Sequence, residues 1–332
     1  MICINNIEHL VIPHSLVKKI AKLYTFLGKN KSFEEVVAQD LDKVIGQTIE
    51  RDCYYLSLLL DLKVTDNRLR LITLKDSKPR TNEEKVLYRL KEALKDFQYN
   101  YQDKLLQSND FINLISYILD EKVSYTESYR QTTSVFISQS KVSKRKQLDD
   151  LNENYLGKIG EYEAVVLLAN YLIDFYNLKP FSLGNEIVFY LVMYYLLLKN
   201  EFLSLKYVSF FELLYSSKEQ LNKVLTEASI NWSQGFIQSL SFIDYLVDLL
   251  IDSYQKVQIV LNTYKKDLEI SKQDNLELTI LNFNSSFKKD DIRQIHPFVS
   301  ESTINRALKK LKDEGKIEPI DRGRSAKWAK IL

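Results

Sequence analysis

The sequence predicts an all-α protein with a small β-hairpin close to its C-terminal end. Three observations carry this. Only 8 glycines and 5 prolines occur in 332 residues, against a usual glycine share of ~7%, so few tight turns can form. Apolar residues recur at three- and four-residue spacing along most of the chain. One twelve-residue run, 187–198, is apolar all round, as suits a helix buried on every side.

In chain order, residues 15–27 and 44–62 carry apolar stripes and belong to a helical region extending to about residue 100. The polar stretch 75–84 ends in Thr81-x-x-Glu84, a capping-type start for the next helix. Residues 121–138 are rich in Ser, Thr, Tyr and β-branched side chains, which predicts an extended or hairpin segment. The charged stretch 141–150 reads as a linker. Ile159, Tyr162, Val166, Ala169 and Ile173 form one helical stripe ahead of the buried run. Helices at 218–227 and 233–264 follow, then a polar break at 270–274. The expected organisation is a helical region (1–100), a core (101–268) and a C-terminal module (272–332).

That module has the clearest local pattern. A short helix (276–283) precedes a second that begins near Lys288. After a turn at Pro297, a third opens at Ser300, a good N-cap, and closes at Gly315, a good C-cap. Ile304, Ala307, Leu308 and Leu311 share its inner face. Extended runs at 317–320 and 327–331 flank the turn Asp321-Arg-Gly-Arg-Ser325. Three helices and a basic hairpin resemble a winged helix-turn-helix. In such a module Ser302, Thr303, Asn305 and Arg306 face base edges, Lys309 and Lys310 reach phosphates, and Arg322 and Arg324 sit on the wing. Residues 271–332 hold 13 Lys+Arg against 9 Asp+Glu, whereas the other 270 hold 33 against 35. DNA is the expected partner of this end, with protein docking or self-association as the other use of such a module.

Composition excludes several classes. Glycine scarcity argues against Rossmann and P-loop enzymes. Cys3 and Cys53 cannot build a disulfide framework or a zinc site, and His9, His14 and His296 are too scattered for one, so no metal site is expected. The opening MICINNIEHLVIPH lacks a basic segment ahead of a long apolar run, and the run 187–198 is too short to span a bilayer. A cytoplasmic protein without membrane attachment is expected.

The segment Lys179-Pro-Phe-Ser-Leu-Gly-Asn-Glu-Ile-Val-Phe-Tyr190 stands between two core helices and resembles the signature of the Fic family, H-P-F-x-[D/E]-G-N-G-R-x-x-R. The stretch 129–137 looks like that family's substrate-holding flap. Segments 203–208 and 228–232 resemble those after its central helix, and a winged helix after the core is a common arrangement there. The resemblance implies a Fic-type helical core and, in the family, transfer of AMP from ATP·Mg²⁺ to a protein hydroxyl. Such transfer needs a base in reach, a metal ligand and cationic charge on the phosphates.

Measured against that signature, Pro180, Phe181, Gly184 and Asn185 are kept. Lys179 stands where the base should be, Leu183 where the metal-binding acid should be, Glu186 in place of the second glycine, and Ile187 and Tyr190 in place of the two arginines. A lysine ammonium is a poor base at neutral pH, and an acid in a phosphate nest repels the phosphate. The family's inhibitory-helix pattern finds its nearest match at 46–51, where Glu50 is kept but its neighbours differ. The string His296-Pro-Phe298 resembles the start of the signature but lacks Gly-Asn-Gly and reads as structural. The resemblance therefore implies a catalytically degenerate Fic-type protein acting as a binding or regulatory module, with neither ATP nor Mg²⁺ as a cofactor. Two alternatives stand beside it. One is a divergent AMP transferase using Lys179 with Asp174 or Glu186 on a metal. The other is a DNA-binding regulator in which the core serves dimerisation.

Overall fold

Residues 3–103, 107–131, 139–235, 238–269, 272–283, 286–296, 299–321 and 326–331 are described by a computed structural model. The chain divides into two units, one of residues 1–27 and 48–253, the other of residues 28–47 and 254–332. In order, the helices are α1 (His14–Leu27), α2 (Asn30–Val37), α3 (Leu41–Leu59), α4 (Asp66–Lys75), α5 (Asn82–Asn100) and α6 (Ser108–Leu119). The hairpin β1 (Glu127–Gln131) and β2 (Gln139–Ser143) leads into α7 (Lys144–Gly157), α8 (Ala164–Leu178), α9 (Asn185–Lys199), α10 (Phe210–Ser216), α11 (Lys218–Ser229) and α12 (Leu240–Glu269). The remainder is α13 (Lys272–Asn282), β3 (Phe287–Lys288), α14 (Lys289–Ile295), α15 (Glu301–Asp313), β4 (Ile317–Pro319) and β5 (Lys327–Lys330). The all-α class is the one observed, and no helix among the described residues is long and apolar enough to cross a membrane.

The first unit is built around α9. Every residue from Ile187 to Leu198 is buried, so its apolar surface faces protein in all directions. The preceding α8 is nearly as enclosed, and its only strongly polar buried side chains are Asn170 and Asp174. Thr81 caps α5 as the sequence suggests, accepting from the Glu84 N–H. The buried Glu84 carboxylate accepts from the Arg80 N–H just ahead of the cap (2.6 Å) and from Arg68 in a bidentate contact at 2.7 and 2.8 Å, which holds its carboxyl down at about 2.

Three expectations are corrected. The stretch 141–150 is no linker. It finishes β2 and begins α7, because Ser143 accepts from the Arg145 N–H as N-cap and Leu148, Leu151, Asn152 and Tyr155 then form a buried face. The stripe ahead of α9 is shorter than its spacing suggests: α8 starts at Ala164, where the Glu163 carboxylate accepts from the Val165 and Val166 N–H groups, and Ile159 lies outside it at 56% exposed. The helix expected from residue 233 begins at Leu240 instead, after a short turn at Trp232–Gln234.

Both cysteines are free and buried, and burial pushes both thiols well up. A buried polar cluster ties α3 to the segment after α9. Asp52 accepts from the Ser209 hydroxyl (2.7 Å), the Phe211 N–H (3.2 Å) and the Tyr194 hydroxyl (3.2 Å). Gln98 on α5 donates to the same Tyr194 oxygen and to the Leu205 carbonyl. Desolvation outweighs these donors and raises the Asp52 carboxyl to about 7.

In the second unit, Tyr254 donates to Asn30 and Tyr264 to Asp40, both at 2.9 Å, joining α12 to α2 and the turn after it. The C-terminal elements run helix, strand, helix, helix, strand, strand, with antiparallel order β3-β5-β4. Their core is Leu276, Ile280, Phe287, Ile292, Ile304, Ala307, Leu308, Leu311 and Ile317. Ser300 caps α15 by accepting from the Thr303 N–H, and Gly315 takes a left-handed φ of 68° just past its end. His296 is fully buried, with Nε2 at 2.7 Å from the Thr279 hydroxyl.

The Asp52 environment generates a pH dependence. Its folded-state pKa lies above the usual 3.8, so the folded protein holds a proton that the unfolded chain releases. Its contribution to stability is full below about pH 4 and declines as pH rises to about 7. Asp52→Asn removes that term. Urea unfolding at pH 5 and pH 8 is expected to show the native protein losing about 3 kcal/mol relative to the variant over this interval; parallel pH profiles would contradict the assignment.

Candidate functional site

The loop between α8 and α9 is where the sequence places its candidate chemistry. Helix α8 stops because Lys179 adopts a left-handed conformation (φ 42°), an uncommon geometry for a side chain larger than Asn. The loop ends at Gly184, whose φ of 71° also favours glycine. A Cβ there would meet Ile115 Cδ1 at 2.3 Å and Cγ1 at 2.6 Å. Glycine is required twice over.

Asn185 then locks the turn. Its Oδ1 accepts from the Phe181 N–H (3.0 Å) and its Nδ2 donates to the Phe181 carbonyl (2.7 Å). Phe181 is 2% exposed and packs on Tyr125 at a centroid distance of 5.5 Å. Residues 124–126 run antiparallel to 180–182. The Thr126 N–H donates to the Pro180 carbonyl (2.8 Å) and the Ser182 N–H to the Ser124 carbonyl (2.9 Å). From this root β1 departs, pairs with β2 in the register Glu127↔Ser143 to Gln131↔Gln139, and returns to α7. The expected extended segment is thus a hairpin standing on the loop; residues 132–138 lie outside the described residues.

The four kept positions, Pro180, Phe181, Gly184 and Asn185, shape the turn. The substituted ones divide into two sets. Lys179, Leu183 and Glu186 are exposed, Leu183 at 47%. Lys179 Nζ lies 5.7 Å from the centre of the Tyr176 ring. Ile187 and Tyr190 are buried in the packing of α9. The Tyr190 hydroxyl donates to Glu186 Oε1 across one turn (3.4 Å), and burial together with that carboxylate pushes the phenol up.

At the α9 N-terminus, where backbone N–H groups favour an anion, the first turn already carries the Glu186 carboxylate. Ile187 and Tyr190 bring an aliphatic chain and a phenol into the core, and Leu183 is exposed. Among the described residues no three His, Cys, Asp or Glu side chains converge as a metal site. Asp174 is a bracket: its carboxylate accepts from the Cys3 N–H (3.0 Å), the Ile4 N–H (3.0 Å) and Trp232 Nε1–H (2.7 Å). Glu50 is half-buried on α3, and the Tyr190 hydroxyl is bonded to Glu186.

Sequence reasoning passed over Asp52 and Lys144. Asp52 falls on the α3 stripe that includes Ile49, Cys53 and Leu56, so a carboxylate in an apolar face was its signal. Lys144 Nζ donates to the Lys179 carbonyl at 3.1 Å; nothing in the spacing of residues 144 and 179 announces that meeting.

On α15, Ser302, Asn305, Arg306 and Lys309 are exposed on one face, and Thr303 is half-buried beneath Ser300. Lys310 is engaged by Glu277 of α13, at 2.7 and 3.0 Å, which raises its pKa. Arg322 and Arg324 lie outside the described residues.

Two core helices joined by a pinned turn, with a hairpin rooted on that turn, frame the site. A Fic family protein from Desulfovibrio desulfuricans G20 superposes with a TM-score of 0.52 at 13% identity, covering 97% of each chain. A Fic domain containing signaling protein from Bacteroides thetaiotaomicron VPI-5482 superposes with a TM-score of 0.56 at 15% identity, covering 75% of this chain and 97% of that one. No protein-family model and no curated protein matches the sequence. The chain has the Fic fold.

The double demand on residue 184 is testable. Gly184→Ala is expected to cost about 2–4 kcal/mol in denaturant unfolding, from left-handed strain and overpacking against Ile115. Asn185→Ala should cost about 1–2 kcal/mol through its two loop hydrogen bonds.

Proposed function

We propose that this Fic-fold protein transfers no nucleotide and acts as a binding or regulatory module. The observation that carries this is the division at the α8–α9 loop. Residues that shape the turn are kept, while those that would supply base, metal ligand and cationic charge are a lysine, an exposed leucine and two buried side chains. Removing a general base alone typically costs about 10²–10⁴ in rate, and here the electrostatic partners are replaced too. The test is incubation with α-labelled ATP, GTP, UTP or CTP, Mg²⁺ and a lysate of protein acceptors. No incorporation above a heat-denatured control is expected. Magnesium-dependent labelling abolished by Lys179→Ala would establish the transferase reading instead.

A DNA-binding role for the C-terminal module is favoured by the exposed row Ser302, Asn305, Arg306 and Lys309 on α15. Read as a winged helix-turn-helix, this module offers that row to the major groove, with Arg306 and Asn305 the side chains suited to base edges. Lys310, held by Glu277, then braces α15 against α13 and contributes little to phosphate contact. Binding to DNA from the gene's own neighbourhood is expected to weaken as salt rises and to fall about tenfold or more in Arg306→Ala. Lys310→Ala should change it much less. Absent or salt-insensitive binding would exclude DNA as the partner.

A further inference from the structure

The turn that has no cations at the α9 end has them on the other side. Lys144 opens α7 directly after β2, and its ammonium donates to the Lys179 carbonyl (3.1 Å), where the Thr126 hydroxyl also points (3.4 Å). The Lys144 ammonium is half-buried, and its pKa is lowered first by burial and then by the positive charge of Lys179. Lys179 is close enough for that repulsion, and its ammonium has the Tyr176 ring face as its described neighbour. A lysine ammonium carries three N–H donors. Lys144 spends one on the Lys179 carbonyl, and the donors of Lys179 meet no acceptor among the described residues.

The surroundings add to the imbalance. Helix α7 has no acidic residue in its first turn, which instead runs Lys144-Arg145-Lys146. Arg145 is held by the Asn109 Oδ1 (3.1 Å) and the Tyr125 ring. Cations at a helix N-terminus oppose the macrodipole. Two neighbouring ammonium groups, one of them partly desolvated, add a repulsion that an anion between them would reverse.

We propose that Lys144 and Lys179 form a binding site for a phosphate group, as inorganic phosphate or a small phosphomonoester, at the root of the β1–β2 hairpin. The site is separate from the α9 N-terminus, where Glu186 stands, and involves no transfer step. It does not depend on the functional reading above: label incorporation tests transfer, whereas the experiment here reads equilibrium binding alone.

The test is a titration of the full chain with inorganic phosphate, O-phosphoserine and AMP, followed by ³¹P line broadening and calorimetry. Saturable binding is expected, weakened about tenfold by Lys144→Gln or by Lys179→Gln, as for loss of a charge-assisted hydrogen bond. Lys144→Arg and Lys179→Arg, which keep the charge, should retain it, and Lys22→Gln on α1 should leave it unchanged. Tighter binding of O-phosphoserine or AMP than of inorganic phosphate identifies the esterified form as the ligand; equal binding identifies the free ion. No saturable binding, or equal weakening by Lys22→Gln, would overturn the proposal.

Discussion

The enclosure of α9 is the constraint on which the rest of the first unit depends. A helix buried on every side through twelve consecutive residues cannot slide or rotate without opening voids in a close-packed interior. Its N-terminus is therefore fixed, and with it the position of Asn185. Through Asn185 the turn is fixed, because both main-chain polar groups of Phe181 end on that one amide. The hairpin inherits its position in turn, since its root is bonded to residues 180 and 182. The kept positions are links in this series of dependencies. The substituted ones are either outside it, as exposed Lys179, Leu183 and Glu186 are, or absorbed into the packing, as Ile187 and Tyr190 are.

Buried carboxylates do for distant segments what Asn185 does for the turn. Asp174 collects N–H donors from residues 3 and 4 and from the Trp232 indole, joining parts of the chain that lie 58 and 171 residues from it. Asp52 does the same between α3 and the start of α10, at the expense of a raised pKa. A buried charge or proton of this kind is costly unless donors converge on it. Here they do, and the arrangement specifies which segments meet.

Much of this was legible in the sequence, and the reasons differ by element. The run 187–198 announced α9 because a helix apolar all round has one stable environment. Ser300, Gly315 and the stripe Ile304, Ala307, Leu308 and Leu311 delimited α15 because capping chemistry and periodicity agree there. The stretch 141–150 was misread because its charges mask a stripe, Leu148, Leu151 and Tyr155, that becomes apolar only once the helix forms. Ile159 and Tyr162 matched a helical period by coincidence, since the cap at Glu163 starts α8 after them. At the site, the substitutions could be read residue by residue from the signature. The meeting of Lys144 with Lys179 could not, because it follows from where the hairpin returns the chain, which no local pattern records.

The hairpin is joined to the turn largely through main-chain groups: the Thr126 and Ser182 N–H donors and the Pro180 and Ser124 carbonyls. Every residue but proline brings the same N–H, and every residue brings the same carbonyl. The exposed side chains of the turn, Lys179, Leu183 and Glu186, are consequently free to diverge while the two segments keep their mutual placement. Such a frame behaves like a socket whose contacts stay in place while the fitting is exchanged.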